Sequence, residues 1–95
     1  MVHKSVFIPV DHPAFVGHFP GNPILPGVVI LDIVVTAYGS EVFGIPIAKF
    51  LNIVAPGDTL TVDISNHENG RAKFAVKRGF DLICEGQLIT DIGNV

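Results

Sequence analysis

The chain has 95 residues, of which 48% are hydrophobic and 16% are charged, and its formal net charge is −3. This length suits one small domain, so we expect residues 1–95 to form a single domain. The acidic balance argues against binding to nucleic acid or to an anionic membrane surface. The apolar fraction exceeds what the core of so small a monomer needs, so part of it is expected in a subunit interface or a ligand tunnel.

No segment is typical of targeting or of membrane insertion. The first five residues lack the apolar core of a signal peptide, and no uncharged run is long enough to span a bilayer. Cys84 is the only cysteine, so no disulfide can form within the chain, which fits a reducing compartment. We therefore expect a soluble cytoplasmic protein, with Cys84 filling a place in the core.

The first fifteen residues predict a strand followed by a helical turn. Val2–Val10 carries β-branched residues in rough alternation, which is the pattern of a strand. Asp11 then stands where an N-cap is expected, and Pro13 falls in the first turn that would follow it.

The segment from His18 to Gly27 predicts a rigid loop. It reads His-Phe-Pro-Gly-Asn-Pro-Ile-Leu-Pro-Gly, in which proline fixes backbone angles and glycine permits angles that other residues avoid. A loop with so defined a shape usually serves a site. His18 adds a group that can take up or release a proton near neutral pH.

Val28–Tyr38 predicts a buried helix. Its valines and isoleucines favour a strand, but the run is long for a strand, opens after a Pro-Gly pair and stops at Gly39. Asp32 is the one charged residue within it. A carboxylate buried in apolar surroundings is costly unless it is paired or protonated, so Asp32 needs a partner, and His18 is the natural candidate.

From residue 45 onward the apolar pattern changes to a period of two. Strands are predicted near 45–54, 59–66, 71–78 and 82–91, with turns at Pro-Gly-Asp, Asn-Gly and Gly79, and we expect them to pair as antiparallel hairpins. One helix and about five strands predict an α+β domain in which an antiparallel sheet wraps around a central helix.

The start of the predicted helix can stabilise negative charge. A helix beginning at Gly27 has backbone N–H groups without partners in the helix and a partial positive charge at that end. A thioester carbonyl placed there would be stabilised as its α-carbon loses a proton. His18 and Asp32 together suit proton transfer in an elimination. The structural alternatives stay open: an ordinary Pro-Gly helix start, and a His–Asp hydrogen bond that only fixes the loop.

These residues resemble the active-site segment of the 3-hydroxyacyl-acyl carrier protein dehydratases of fatty acid synthesis, which have the hotdog fold. The resemblance rests on residues 18–27, followed by an acidic residue at position 32, on Pro13-Ala-Phe-Val-Gly17, and on Lys49-Phe-Leu-Asn-Ile-Val-Ala-Pro-Gly-Asp-Thr-Leu60. It spans nearly the whole chain. Members that also isomerise the double bond carry aspartate at the position of Asp32, whereas the elongation branch carries glutamate.

The resemblance implies a homodimer whose two sheets join side by side, with or without further assembly, and an active site at the interface. His18 of one subunit would remove the α-proton, and Asp32 of the other would protonate or orient the departing hydroxyl. The Gly27 amide would bind the thioester oxygen. The other expected substrate-binding residues are Phe19, Pro26 and Val28.

The implied function is dehydration of a 3-hydroxyacyl thioester, carried by acyl carrier protein, to the trans-2-enoyl thioester, without a cofactor. The four histidines and one cysteine lack the spacing of a zinc site, so no metal is expected. Two alternatives stay open, a hotdog acyl thioesterase and a non-catalytic acyl-binding relative. The second is motivated by Thr36, where the family usually has a glutamine, and by the lack of an N-terminal segment that typical members carry.

Overall fold

The computed structural model describes residues 1–15 and 24–91 of the chain. The elements, in chain order, are β1 (Val2–Phe7), a short 3-10 helix (Pro13–Phe15), α1 (Gly27–Tyr38), β2 (Gly44–Phe50), β3 (Thr59–His67), β4 (Arg71–Arg78) and β5 (Asp81–Ile89). The predicted α+β class, with one α-helix and five strands, is therefore confirmed. None of the helices in the described part of the chain is long and apolar enough to cross a membrane.

The five strands form one antiparallel sheet in the order β1-β3-β4-β5-β2. The predicted hairpins are correct for β3–β4 and for β4–β5. The hairpin prediction is wrong for β2, which pairs with β5 at the far edge of the sheet rather than with the strand that follows it. β1 pairs with β3 and forms the opposite edge.

Both edge strands end several residues earlier than predicted. β1 ends at Phe7 rather than Val10, because Pro9 has no N–H to continue the ladder. β2 ends at Phe50 rather than at residue 54, because the chain turns there. The N–H groups of both Leu51 and Asn52 point to the same carbonyl oxygen, that of Ile83, at 2.9 and 3.4 Å.

The core lies between α1 and one face of the sheet. Alternate residues of β3 and β4 are buried there, as the period of two predicts, and they pack with the buried residues of α1, which are Ile30, Val34 and Ala37. Cys84 of β5 is fully buried, as predicted. Burial, with the nearby charge of Glu85, raises the pKa of Cys84 to about 11.

The short turn before the loop differs from its prediction in one contact. Asp11 is exposed, and the cap comes instead from His12, whose Nδ1 accepts a hydrogen bond from the N–H of Ala14 at 3.0 Å. The Nδ1 of His12 lies two residues before this N–H in sequence and accepts its hydrogen bond, as the side-chain oxygen of an aspartate N-cap does. Asp11 as the N-cap was therefore wrong.

Candidate active site

The described residues include four of the six predicted site residues. Pro26, Gly27 and Val28 form the start of α1, and Asp32 lies more than one turn further along the same helix. His18 and Phe19 lie outside the described residues. The geometry below therefore concerns the helix and the strands around it.

The first backbone N–H groups of α1 have no partner within the helix. Pro26 is extended and has no side-chain cap, and its carbonyl oxygen accepts the first helical hydrogen bonds, from Val29 at 3.0 Å and Ile30 at 3.3 Å. The N–H groups of Gly27 and Val28 precede these bonds and have no partner in the helix. Such groups, together with the partial positive charge of the helix end, can stabilise a developing negative charge on an oxygen.

Gly27 is in close contact with the ring of Phe50. A Cβ added at Gly27 would lie 2.9 Å from Cζ and 3.0 Å from Cε1 of this ring. Real Cβ contacts are rarely so short, so a larger residue at position 27 would require the ring to move. Phe50 and Ile53 also line a cavity of about 290 Å³ beside the start of the helix.

Asp32 is exposed in this chain, contrary to the expectation of burial in apolar surroundings. The reason is helical periodicity, because Asp32 lies on the face opposite to the buried residues Ile30, Val34 and Ala37. The sequence around Asp32 is apolar on every side, but only one face of the helix is covered by the sheet. Because Asp32 is in contact with solvent, the single chain does not carry the free-energy cost of burying an unpaired carboxylate.

Asp32 lies in a groove of about 320 Å³ between α1 and β1. Thr36, one turn further along the helix, lines the same groove, as a spacing of four residues predicts. Lys4 and Val6 contribute the opposite wall from β1. The carboxylate therefore shares a pocket with one hydroxyl, one ammonium group and apolar side chains.

Lys4 lines the groove of Asp32 and was not singled out from the sequence. It pairs with Val62, which is fully buried, so its side chain leaves the strand on the face that carries the core. A signal was present in the sequence, because Lys4 alternates with Val2 and Val6 and so belongs to their face of the strand.

The outer edge of β2 exposes apolar side chains. Ile47 and Phe50 on the strand, and Leu51 and Ile53 just after it, are all exposed. Val28 is 73% exposed at the nearby helix start. A row of exposed apolar residues along an edge strand is typical of a surface that another chain covers.

Comparison with known proteins identifies the family. Residues 2–87 match the model of the ApeI-like family, described as ApeI dehydratase. The chain is 35% identical over 94 residues to the 3-hydroxyacyl-[acyl-carrier-protein] dehydratase FabZ of Ehrlichia chaffeensis, with 83% of this chain and 66% of the relative covered. It is 38% identical over 101 residues to FabZ of Haemophilus influenzae, with 86% of this chain and 68% of the relative covered.

A solved structure shows the same fold. A chain of the dehydratase heterocomplex ApeI:P from Xenorhabdus doucetiae matches with a TM-score of 0.79 at 26% identity, over 92% of this chain and 83% of that one. The predicted hotdog fold and the predicted dehydratase class are confirmed, and the relatives support dehydration of 3-hydroxyacyl thioesters as the reaction. The chain spans about two thirds of the length of these two FabZ relatives. With a family model matched over most of its residues, the chain belongs to the ApeI-like dehydratases.

Proposed function

We propose that this chain dehydrates a 3-hydroxyacyl thioester on acyl carrier protein to the trans-2-enoyl thioester, in the cytoplasm, during the synthesis of fatty acids or related acyl chains. The observation that carries the proposal is the match of residues 2–87 to a dehydratase family. The start of α1 supports it, because N–H groups without partners in the helix can donate to a thioester oxygen that gains negative charge.

In the proposed reaction, the His18 imidazole takes the proton from the α-carbon, and the electron pair moves toward the thioester carbonyl. The Gly27 N–H donates to the carbonyl oxygen, while Phe19, Pro26 and Val28 contact the acyl group. As the double bond forms, Asp32 of the partner subunit gives a proton to the departing hydroxyl, which leaves as water. The cycle closes when His18 releases its proton and Asp32 regains one.

A homodimer is part of the proposal. The exposed apolar edge of β2 supports it, since pairing two such edges would continue the sheet across a two-fold axis and cover Ile47. The exposure of Asp32 is consistent with a role toward a second subunit rather than within its own. The test is the mass in solution, where twice the 10.2 kDa chain is expected and a monomer that is active alone would contradict the dimer.

The catalytic roles are tested by hydration of a trans-2-enoyl thioester, the reverse reaction, followed by loss of the conjugated absorbance. We expect His18→Ala and Asp32→Asn each to lower kcat by about 10²- to 10⁴-fold, the usual loss for an acid–base group. The matched controls are His67→Ala and Asp11→Asn, which change an exposed histidine and an exposed carboxylate elsewhere and should leave the rate unchanged.

Each result distinguishes the proposal from its alternatives. A wild-type rate in His18→Ala would refute the assignment of the base. Release of free thiol from an acyl thioester, without hydration, would indicate a thioesterase. Tight acyl binding without turnover would indicate a non-catalytic relative. Activity that requires a second kind of subunit would replace the homodimer with a heteromeric assembly.

A further inference from the structure

Phe50 contacts the backbone at the start of α1 rather than the core. A Cβ on residue 27 would lie only 2.9 to 3.4 Å from three atoms of the Phe50 ring. The ring is 47% exposed, whereas the aromatic core residue Phe74 is 3% exposed. The ring is therefore much less buried than an aromatic core residue, and it contacts the helix at Gly27.

The sheet fixes the backbone of Phe50. Phe50 is the last residue of β2 and pairs with the fully buried Cys84 of β5. The next N–H, that of Leu51, donates to the carbonyl of Ile83 at 2.9 Å, and Nδ2 of Asn52 donates to the carbonyl of Leu82 at 2.8 Å. These hydrogen bonds fix the backbone from which the ring extends, so the ring can leave Gly27 only by rotating about its own side-chain bonds.

Residues 50–54, which begin with Phe50, also bind the chain just before α1. The N–H of Leu25 donates to the carbonyl of Val54 at 2.9 Å. Nη1 of Arg78 donates to the carbonyl of Ile53 at 2.8 Å and anchors this stretch to the end of β4. Residues 50–54 therefore contact the Pro26-Gly27 turn from two sides, through a backbone hydrogen bond at Leu25 and through a ring at Gly27.

We propose that Phe50 is a positioning residue whose ring sets the direction of the Gly27 N–H toward the substrate oxygen. This inference rests on the proposed function, in which that N–H donates to the thioester carbonyl. A donor to a developing oxyanion acts through its geometry, so a small rotation of the peptide weakens stabilisation of the transition state more than binding of the substrate. Gly27 is required because any side chain there would displace the ring.

The test is Phe50→Leu, which removes the ring and keeps an apolar side chain. We expect kcat for hydration of the enoyl thioester to fall about tenfold or more, with a smaller change in KM. We also expect the carbonyl stretch of the bound thioester, measured by infrared difference spectroscopy, to shift back toward its frequency in solution. Phe80→Leu is the matched control, because Phe80 is a fully exposed phenylalanine in the turn between β4 and β5.

A second arm uses the steric contact. Gly27→Ala should lower the Tm, because its methyl group meets the ring, and adding Phe50→Leu should restore part of the loss without restoring the carbonyl shift. Circular dichroism and the mass in solution establish that each variant keeps its fold and assembly. If Phe50→Leu fails either check, Phe50→Met is measured in the same way.

The outcomes separate this inference from the proposed function. Wild-type protein that neither hydrates the thioester nor polarises its carbonyl would overturn both. Active wild-type protein with Phe50→Leu unchanged in kcat and in carbonyl frequency would overturn only the role of Phe50. Loss of assembly in both Phe50 variants would also overturn it, because the ring would then act at a subunit contact.

Discussion

Asp58 joins three segments of the chain, and its replacement tests how the helix start is supported. Its Oδ2 accepts a hydrogen bond from the N–H of Ala55 and another from Nη1 of Arg78, both at 2.8 Å. The same Arg78 nitrogen holds the carbonyl of Ile53. Asp58→Ala removes both bonds and leaves the partly buried N–H of Ala55 without its partner.

The magnitude follows from these contacts. Hydrogen bonds to charged groups contribute about 1.5–3 kcal/mol each, but the ion pair is partly solvated, with Asp58 21% exposed. We therefore expect Asp58→Ala to lower the free energy of unfolding by about 2 kcal/mol. For a domain of this size that corresponds to a Tm lower by roughly 8–16 °C.

The assay is thermal unfolding followed by circular dichroism at neutral pH. Asp81→Asn is the matched control, because Asp81 also faces Arg78, at 3.6 Å, but is 67% exposed. It should change the Tm by no more than a few degrees, as expected for a surface ion pair worth under about 1 kcal/mol. Equal Tm losses in the two variants would refute the argument that the partly buried hydrogen bonds of Asp58, rather than the charge on Arg78, stabilise this segment.

The stability difference between wild type and Asp58→Ala also depends on pH, in a direction that the pKa of Asp58 determines. Partial burial acts to raise the pKa of Asp58, but the hydrogen bond from Ala55 and the Arg78 guanidinium outweigh burial and lower the pKa below its usual 3.8. A lowered pKa in the folded state stabilises the protein above the unfolded value, and this stabilisation is lost as the pH falls through the folded pKa. The Tm difference between wild type and Asp58→Ala should therefore be full at neutral pH and shrink below about pH 4. A difference that stays constant down to strongly acidic pH would contradict the charge-assisted bonds.

Two further predictions concern β5. Gly86→Ala should lower the free energy of unfolding by about 1–3 kcal/mol, as overpacking does. A Cβ there would overlap the carbonyl oxygen of Ile47 and approach Cζ of Phe74 to 2.8 Å. Chemical denaturation measures the change, and wild-type stability in this variant would show that β2 can move away. Cys84 should react with a thiol reagent at neutral pH only as the protein unfolds, since it is buried and its pKa is raised to about 11; rapid labelling of folded protein would contradict that placement.

Most of the fold could be predicted because its signals are local. The end of α1 at Gly39 and the turns between β3, β4 and β5 depend on residues adjacent in sequence. The place of β2 could not be predicted in this way. Its partner β5 is separated from it by two strands, β3 and β4, and the hairpin expectation assumes that neighbours in sequence are neighbours in the sheet. Long-range pairing of this kind leaves no mark in the alternation of a single strand.

The candidate site divides along the same line. Gly27 and Asp32 were found because each stands out locally, one at a Pro-Gly helix start and the other as a charge within an apolar run. Asp32 is exposed in the single chain, contrary to expectation, because the composition of a helix does not say which of its faces the sheet covers. Lys4 and Phe50 come from edge strands on opposite sides of the sheet, and they meet the helix only because of the strand order.

The strand order also explains why the two proposed roles of α1, at Gly27 and at Asp32, fall in separate surroundings. β1 borders the flank of α1 that carries Asp32, so this carboxylate lies in a groove between the helix and that edge strand. The end of β2, on the other edge, lies against the N-terminus of α1, where the ring of Phe50 contacts Gly27 and Leu25 donates to the carbonyl of Val54. A substitution at Lys4 should therefore change the surroundings of Asp32 without moving the N–H of Gly27. A substitution at Phe50 should affect the start of the helix at Gly27 and leave the surroundings of Asp32 unchanged.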